Sequence, residues 1–589
     1  MKDFFSIGID FGTLSARAVL VNIRTGKEKF TSIYGYQDAV IDRFLPHSGE
    51  ELPGDFALQN PSDYISAVKA LLKDIANNSG VDPSAIISIG IDFTACTILP
   101  VNEKMMPLCM DAAYRDNPHS WVKLWKHHGA QAEADTINRM ARERKEEFLS
   151  YYGDSSSSEW FFAKVMEVYN KAPDIYAAAH LFVEAGDWIV WALTGVMMTS
   201  TCKAGFKAFW NEKDGYPSKH FFASICPGLE NITDKAIWDV RPVGTRAGGL
   251  TKEMAAITGL LEGTSVAVSI IDAHAATPVV GVVDEGSLIM AMGTSLCHIL
   301  VSKKKVDIKG ISGVVKDGVI PGYYGYEAGQ AAVGDIYDWF IQTLAPTDCF
   351  DEAAEYNISP FAVMDKRAAK VKPGESGLLA LDWWNGNRSM LNNANLSGML
   401  MGMTLATQPE EIYRALIEST AYGTRNIIES IEEHGIPIKR IFACGGLSRK
   451  SELVMQIFAD ILSREISVTD VAQTTAYGAA MYGMVAAGCK RGGYDTLEDA
   501  MRALSRAPHK TYKPNPENKE IYTWMFHEYQ RLSLIFGDSN RDIMYDLKNL
   551  KGLRTKKLGD AIENTGGGVV SREEMDAQVL PQQKVAAGK

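Results

Sequence analysis

Residues 7–17 read Ile-Gly-Ile-Asp-Phe-Gly-Thr-Leu-Ser-Ala-Arg. An apolar run ends in a carboxylate, and a glycine, two hydroxyls and an arginine follow. These types, in this order, suit phosphate handling. Gly12 permits a tight turn that can approach a ligand closely. The N–H groups of such a turn, with the Thr13 and Ser15 hydroxyls, can cradle phosphate oxygens. Asp10 can hold Mg²⁺ through water, and Arg17 adds a cation. The same letters also fit an ordinary buried strand that ends in a hairpin, so the rest of the chain has to decide.

Four later places carry comparable chemistry. Gly293-Thr294-Ser295 follows the apolar run Ser287 to Met292 and repeats the Gly-Thr turn. Asp272 directly follows the strand-like run Val266 to Ile271, where a carboxylate can face a cleft and accept a proton; a helix N-cap is the plain alternative. Lys207 sits among Phe206, Ala208 and Phe209 and needs a partner, unless it snorkels to the surface. Gly445-Gly446 stands between the strand-like Lys439 to Cys444 and the helical Ser451 to Leu462. Strand–Gly-Gly–helix suits a nucleotide edge, although any α/β protein has such turns.

The elements that must position these residues form an α/β pattern. Ile7-Gly8-Ile9-Asp10 and Ile89-Gly90-Ile91-Asp92 begin alike and read as central strands that end in acids. Between them, Pro61 to Asn78 has helical spacing at Tyr64, Val68, Leu71, Leu72 and Ile75. Residues 110–200 read as mostly helical, with Trp121, Leu124 and Trp125 on one helical face. Pro409 to His434 reads as a helix that opens on Pro and two Glu and closes at Gly435. At 589 residues the chain exceeds one core, so at least two domains are expected.

The net charge of −12 argues against a nucleic-acid binder. No uncharged apolar run is long enough to span a membrane. The N-terminus lacks a signal peptide's apolar core, and the eight cysteines show no CxxC pair, so a reducing, cytoplasmic setting is expected. The chain contains no G-x-x-x-x-G-K-[ST] loop and no G-x-G-x-x-G. Any ATP site must therefore be of another kind.

The ordered set Asp10-Phe11-Gly12-Thr13, Asp272-Ala273-His274-Ala275, Gly293-Thr294-Ser295, and Gly445-Gly446 with Met455 to Asp460 resembles the FGGY carbohydrate kinases. The likeness covers roughly residues 4–510. Longer strings resemble the branch of that family that acts on L-ribulose. They are Asp92 to Thr97, Asp116 to His128, Ser157 to Trp160, Ala204 to Ala208 and Gly322 to Gln330.

The resemblance implies an α/β fold of two ribonuclease-H-like, actin-like ATPase domains flanking a cleft. It places a sugar-binding domain at 1–280 and an ATP-binding domain at 281–545; residues 546–589, polar and without aromatics, are expected to form a flexible tail. The implied reaction is L-ribulose + ATP to L-ribulose 5-phosphate + ADP, with Mg²⁺, in arabinose breakdown. It makes Asp272 the base and sets Ala95, Lys207 and Glu327 around the sugar. Thr13, Ser15, Arg17, Gly293, Thr294, Ser295, Gly445 and Gly446 would meet ATP, and Asp10 the metal. The expected partners are the sugar and ATP, with no nucleic acid and no membrane; a homodimer is left open. A kinase for another pentulose or pentitol, and an actin/Hsp70-like nucleotide switch, are the alternatives.

Three positions depart from the family pattern. Ser269-Ile270-Ile271 stands where Gly-Asn precedes the aspartate, Ser451 stands where asparagine is common, and Leu14 replaces a small hydroxyl residue.

Overall fold

The computed structural model describes residues 3–281 and 284–550. Two mixed sheets share one plan. In the first, strand Phe5–Phe11 pairs antiparallel with Ser15–Asn22, which pairs with Glu28–Gly35. On its other edge Phe5–Phe11 runs parallel to Ile86–Phe93, which is flanked by Ser265–Ala267 and Ile270–Ile271. In the second, Ser287–Met292 pairs antiparallel with Leu296–Ser302, which pairs with Tyr324–Gln330. Its other edge runs parallel to Arg440–Cys444, followed by Ile466–Val468. Each sheet is therefore a hairpin with its third strand on one side and parallel strands on the other. Parallel neighbours require a crossover, and Pro61–Asn78 lies in the first of them.

That helix forms where its spacing predicts. The Asn60 side chain accepts the Ser62 N–H, Pro61 fills the first turn, and Tyr64, Val68, Leu71, Leu72 and Ile75 are buried. They join Ile7, Ile9, Ile89 and Ile91 in one core on the outer face of the first sheet. Pro409–Glu433 buries Leu416, Ile417, Ala421, Ile427 and Ile428 against the second sheet's outer face, and Gly435 beyond it takes φ +83°.

The helix Thr474–Ala487 is buried on nearly every face because it lies between the two halves. It packs on the first sheet so closely that side chains would not fit. A Cβ on Gly8 would stand 1.7 Å from the Ala476 oxygen, and one on Gly90 1.8 Å from the Ala479 oxygen. The same core takes in Val19 and Val21 from the first sheet and Ile289 and Ile299 from the second. A split at 280 thus separates the sheets but not this helix, which belongs to the C-terminal sequence and rests on the N-terminal sheet.

Two readings of the sequence need correction. Trp121, Leu124 and Trp125 share no helical face. Pro118–Ser120 is a single turn of 3₁₀ helix capped by Asn117, and Val122–Lys123 is a short strand paired with Leu58–Gln59. Lys123 is buried there against Glu167 at 3.0 Å, an ion pair that periodicity does not reveal. Beyond Gly445, residues Gly446–Lys450 form a short helix rather than an open turn. At the C-terminal end, 541–550 is helical, five residues into the expected tail, and 551–589 lies outside the described residues.

Candidate functional site

The cleft between the halves holds a cavity of about 410 Å³. A second cavity of about 1310 Å³ lies on the C-terminal half alone. The two share Gly293, Thr294 and Gly446. A long ligand lying in the larger cavity can therefore present one end to the smaller.

Both hairpin turns point into the cleft, and each is closed by its glycine N–H, across four residues in the first and three in the second. Gly12 N–H donates to the Ser15 carbonyl at 3.0 Å, and Gly293 N–H to the Ser295 carbonyl at 2.9 Å. Thr13 is fixed from two sides. Its carbonyl accepts from Gln59 Nε2 at 2.8 Å, and its hydroxyl accepts from Trp125 Nε1 at 3.2 Å. The string Asp116 to His128 thus reaches the first hairpin through Trp125, with buried Lys123 as its anchor. Thr13, Arg17, Thr294 and Ser295 line the smaller cavity, Arg17 at an exposed position. Ser15 opens the return strand, and its side chain is not among the cavity walls.

Three carboxylates stand at neighbouring strand ends. Asp10 pairs in register with Asp92, and Asp92 with Ile270, two residues before Asp272. Burial raises the Asp10 carboxyl above its ordinary value. Burial, and then the Asp10 charge, drives Asp92 well up; neither Asp92 oxygen has a hydrogen-bond partner. Asp272 opens a short helical turn and accepts the Ala273 N–H at 2.6 Å. Burial, with the Asp10 charge second, pushes it up to about 7. A carboxylate poised there can take a proton near neutral pH.

Lys207 closes the helix Thr201–Lys207, and Glu327 lies mid-strand in Tyr324–Gln330. The lysine Nζ donates to both Glu327 oxygens, at 2.6 and 2.8 Å. This is the partner its apolar neighbours require. Burial alone would raise the Glu327 carboxyl, but Lys207 and then His274, whose Nε2 lies 3.3 Å away, hold it down to about 2. Ala95 lines the same cavity beside Thr94 and Cys96. Trp160 forms a wall, with Lys207 Nζ 5.7 Å from its ring centre.

Among the cavity residues that escape sequence reasoning is a charged pair, Glu159 and Arg388, 3.3 Å apart. Glu159 sits inside a quoted string with no role attached, and Arg388 lies in an irregular stretch that carries no signal.

The departures have local explanations. Ser269 Oγ accepts from Lys203 Nζ at 2.7 Å and donates to Asp187 at 2.6 Å, closing a buried network behind Asp272. Ser451 is the N-cap of Glu452–Leu462 and accepts the Val454 N–H at 3.1 Å, a task asparagine does equally well. Leu14 points into solvent. The larger cavity is walled by Gly446, Leu447, Ser451 and charges of both signs, Lys450 and Lys513 among the cations and Asp335 and Asp365 among the anions, which gives a long ligand both apolar and polar contacts.

Two like-built halves around a cleft, each offering a Gly-Thr turn, define a two-domain kinase of the actin-like ATPase fold. Solved structures share it. The xylulose kinase of Rhodospirillum rubrum superposes with a TM-score of 0.73 at 22% identity, over 90% of this chain and 99% of that one. The gluconate kinase of Lactobacillus acidophilus gives 0.74 at 18%, over 92% and 100%. The N-terminal domain of the FGGY family of carbohydrate kinases matches residues 5–277, and its C-terminal domain residues 288–487. The chain belongs to that family. It is 50% identical to the ribulokinase of Halalkalibacterium halodurans over 555 residues, which is 94% of this chain and 99% of that protein. It is 50% identical to that of Bacillus licheniformis over 92% and 98% of the two chains, and 39% identical to that of Staphylococcus aureus over 93% and 99%.

Proposed function

We propose that this protein phosphorylates L-ribulose with ATP, giving L-ribulose 5-phosphate and ADP, in the breakdown of arabinose. Half-identity to ribulokinases along nearly the whole chain carries the reading. The cavity chemistry supports it: a sugar needs paired donors and acceptors, and Lys207 with Glu327 presents both.

In this reading the sugar lies in the smaller cavity beside Ala95, Lys207 and Glu327, and ATP in the larger one, along Gly445 and Gly446. Asp272 accepts the proton of the attacking sugar hydroxyl. The new O–P bond forms as the bond from the γ-phosphorus to the bridging oxygen breaks, and ADP leaves. The turns at Thr13 and at Gly293, Thr294 and Ser295 hold the transferred phosphoryl group from either side, with Arg17 at the rim. Ser15 contributes through the hairpin it closes. Mg²⁺ would suit the acidic side of the cleft, where Asp10, a hard oxygen donor, lines the smaller cavity. Among the described residues no three His, Cys, Asp or Glu side chains form a full cage. Held by Asp10, water and phosphate, such an ion would neutralise phosphate charge. No helix among the described residues is long and apolar enough to cross a membrane.

Coupled ADP release with ATP and Mg²⁺, across L-ribulose, D-ribulose, ribitol, D-xylulose and glycerol, tests the proposal. Fastest turnover on L-ribulose is expected. A clear preference for another sugar would reassign the substrate, and silence on all five would return the chain to the nucleotide-switch alternative.

A further inference from the structure

Two ion pairs, not one, cross the cleft beside Asp272. Lys207 from the N-terminal half meets Glu327 from the C-terminal half. Glu159 from the N-terminal half meets Arg388 from the C-terminal half, with Arg388 Nη2 3.3 Å from Glu159 Oε1. The signs alternate across the seam, since each half supplies one cation and one anion. All four side chains line the same cavity. They also feel one another. Burial would raise the Glu159 carboxyl, yet Arg388 first, and Lys207 among others, hold it below its ordinary value. Glu159 first, and Glu327 among others, keep Arg388 protonated.

The pairs differ in depth. The Lys207 and Glu327 side chains are 7% exposed, whereas those of Arg388 and Glu159 are 21% and 20% exposed. The second pair is the rim. Its loop is seated firmly on the C-terminal half: Gly329 N–H donates to Ser389 Oγ at 3.1 Å, and a Cβ on Gly310 would lie 1.9 Å from the Met390 oxygen. The same seam continues to the N-terminal half, where Gly310 N–H donates to the Gly153 carbonyl and Lys305 Nζ sits 3.6 Å from the Tyr151 ring centre. Residues 151–160 and 386–392 are thus two jaws, joined at the cavity mouth by Glu159 and Arg388.

We propose that the Glu159–Arg388 pair is a latch: it closes the rim of the sugar cavity and positions Lys207 and Glu327 by holding the two halves in register, without touching the base or the phosphates. This rests on the cavity being the sugar site of a kinase. Opening the cleft must part both pairs. The rim pair sees more solvent than the inner one and parts at the lesser cost, so it can form and break at each turnover. The inner pair, once separated, strands two charges in a desolvated wall. A missing latch leaves the groups within each half intact, and the inner pair still joins the halves, but it admits water and loosens the sugar. Phosphoryl transfer then leaks to water, which a closed site excludes.

Glu159→Gln, Arg388→Gln and the double variant test this with the full chain. Each single change is expected to raise KM for L-ribulose about tenfold, the scale of one networked, partly buried ion pair, and to leave kcat within about twofold. ATP hydrolysis without sugar should rise several-fold. The double variant should be no worse than either single one, because the two residues act as a pair. ADP affinity and the thermal midpoint, compared with wild type, show which variants are folded. Should Arg388→Gln fail that check, Arg388→Lys, which keeps the charge without the planar fork, takes its place beside Glu159→Gln. A sugar KM within twofold of wild type, or single effects that multiply in the double variant, would overturn the latch. Wild-type enzyme that turns over no sugar would overturn the kinase reading instead.

Discussion

The two hairpin turns share a plan, four residues from Gly12 to Ser15 and three from Gly293 to Ser295, and carry opposite chemistry. Asp10 stands two residues before Gly12 and pairs with Asp92; Ala291 stands two residues before Gly293 and pairs with Cys444. Where the N-terminal sheet ends in carboxylates, the C-terminal sheet ends in a methyl and a thiol. Burial, with Asp10 second, brings Asp272 to about 7 on the acidic side. On the other side Gly293, Gly445 and Gly446 leave bare backbone, to which a polyphosphate can come close without meeting a side chain from the turn itself. In the proposed reading one architecture used twice is divided between proton and metal handling and nucleotide handling. The inserted segments follow that division. Residues from 95 to 240 bring Lys207 and Trp160 to the smaller cavity and Glu159 to its rim, and the helices after Tyr324–Gln330 wall the larger cavity.

The comparison can be broken most severely at the base. Asp272→Asn should lower kcat about a thousandfold, the scale of a positioned general base, with sugar affinity by calorimetry changed less than about threefold. The wild-type pH profile carries the same signature. The base must be ionised and its carboxyl sits at about 7, so kcat/KM for the sugar should fall about tenfold per unit below pH 7 and level off above it. A flat profile from pH 5.5 to 8 would deny Asp272 the role. Next in size, Ala291→Asp would give the second turn the carboxylate of the first. Like charge facing the phosphates should raise KM for ATP about a hundredfold, while sugar binding stays near wild type. Smallest are the glycines. Gly445 has φ +93°, and a Cβ there would meet the Met292 oxygen at 2.4 Å. Gly12 would bring its Cβ only to 3.3 Å from the Ser15 oxygen. Gly445→Ala should therefore lower the thermal midpoint by several degrees, the shift expected of a strained backbone site, and Gly12→Ala by about a degree.

Local chemistry made much of this legible in the sequence. A strand that ends in Asp, a Gly-Thr turn and a return strand announce themselves over eleven residues, and Pro61 to Asn78 carries its own cap and stripe. What stayed hidden depends on partners far along the chain. Lys207 signals a need for a counter-ion but does not name Glu327, 120 residues away, and Glu159 gives no hint of Arg388, 229 residues away. The small residues of Thr474–Ala487 look like a plain buried helix until Gly8 and Gly90 are seen beneath them. Trp121 to Trp125 misled because three apolar residues at helical spacing fit a short strand next to a turn equally well. Ser15 was read by residue type, and its carbonyl, not its hydroxyl, closes the turn.

The most direct measurement is a crystal structure with L-ribulose and a non-hydrolysable ATP analogue bound together. The account predicts the terminal sugar hydroxyl within about 3 Å of the Asp272 carboxylate, its oxygen facing the γ-phosphorus held between the Thr13 and Thr294 turns. A sugar bound with no hydroxyl near Asp272, or a γ-phosphate directed away from the cavity that holds Lys207 and Glu327, would contradict it.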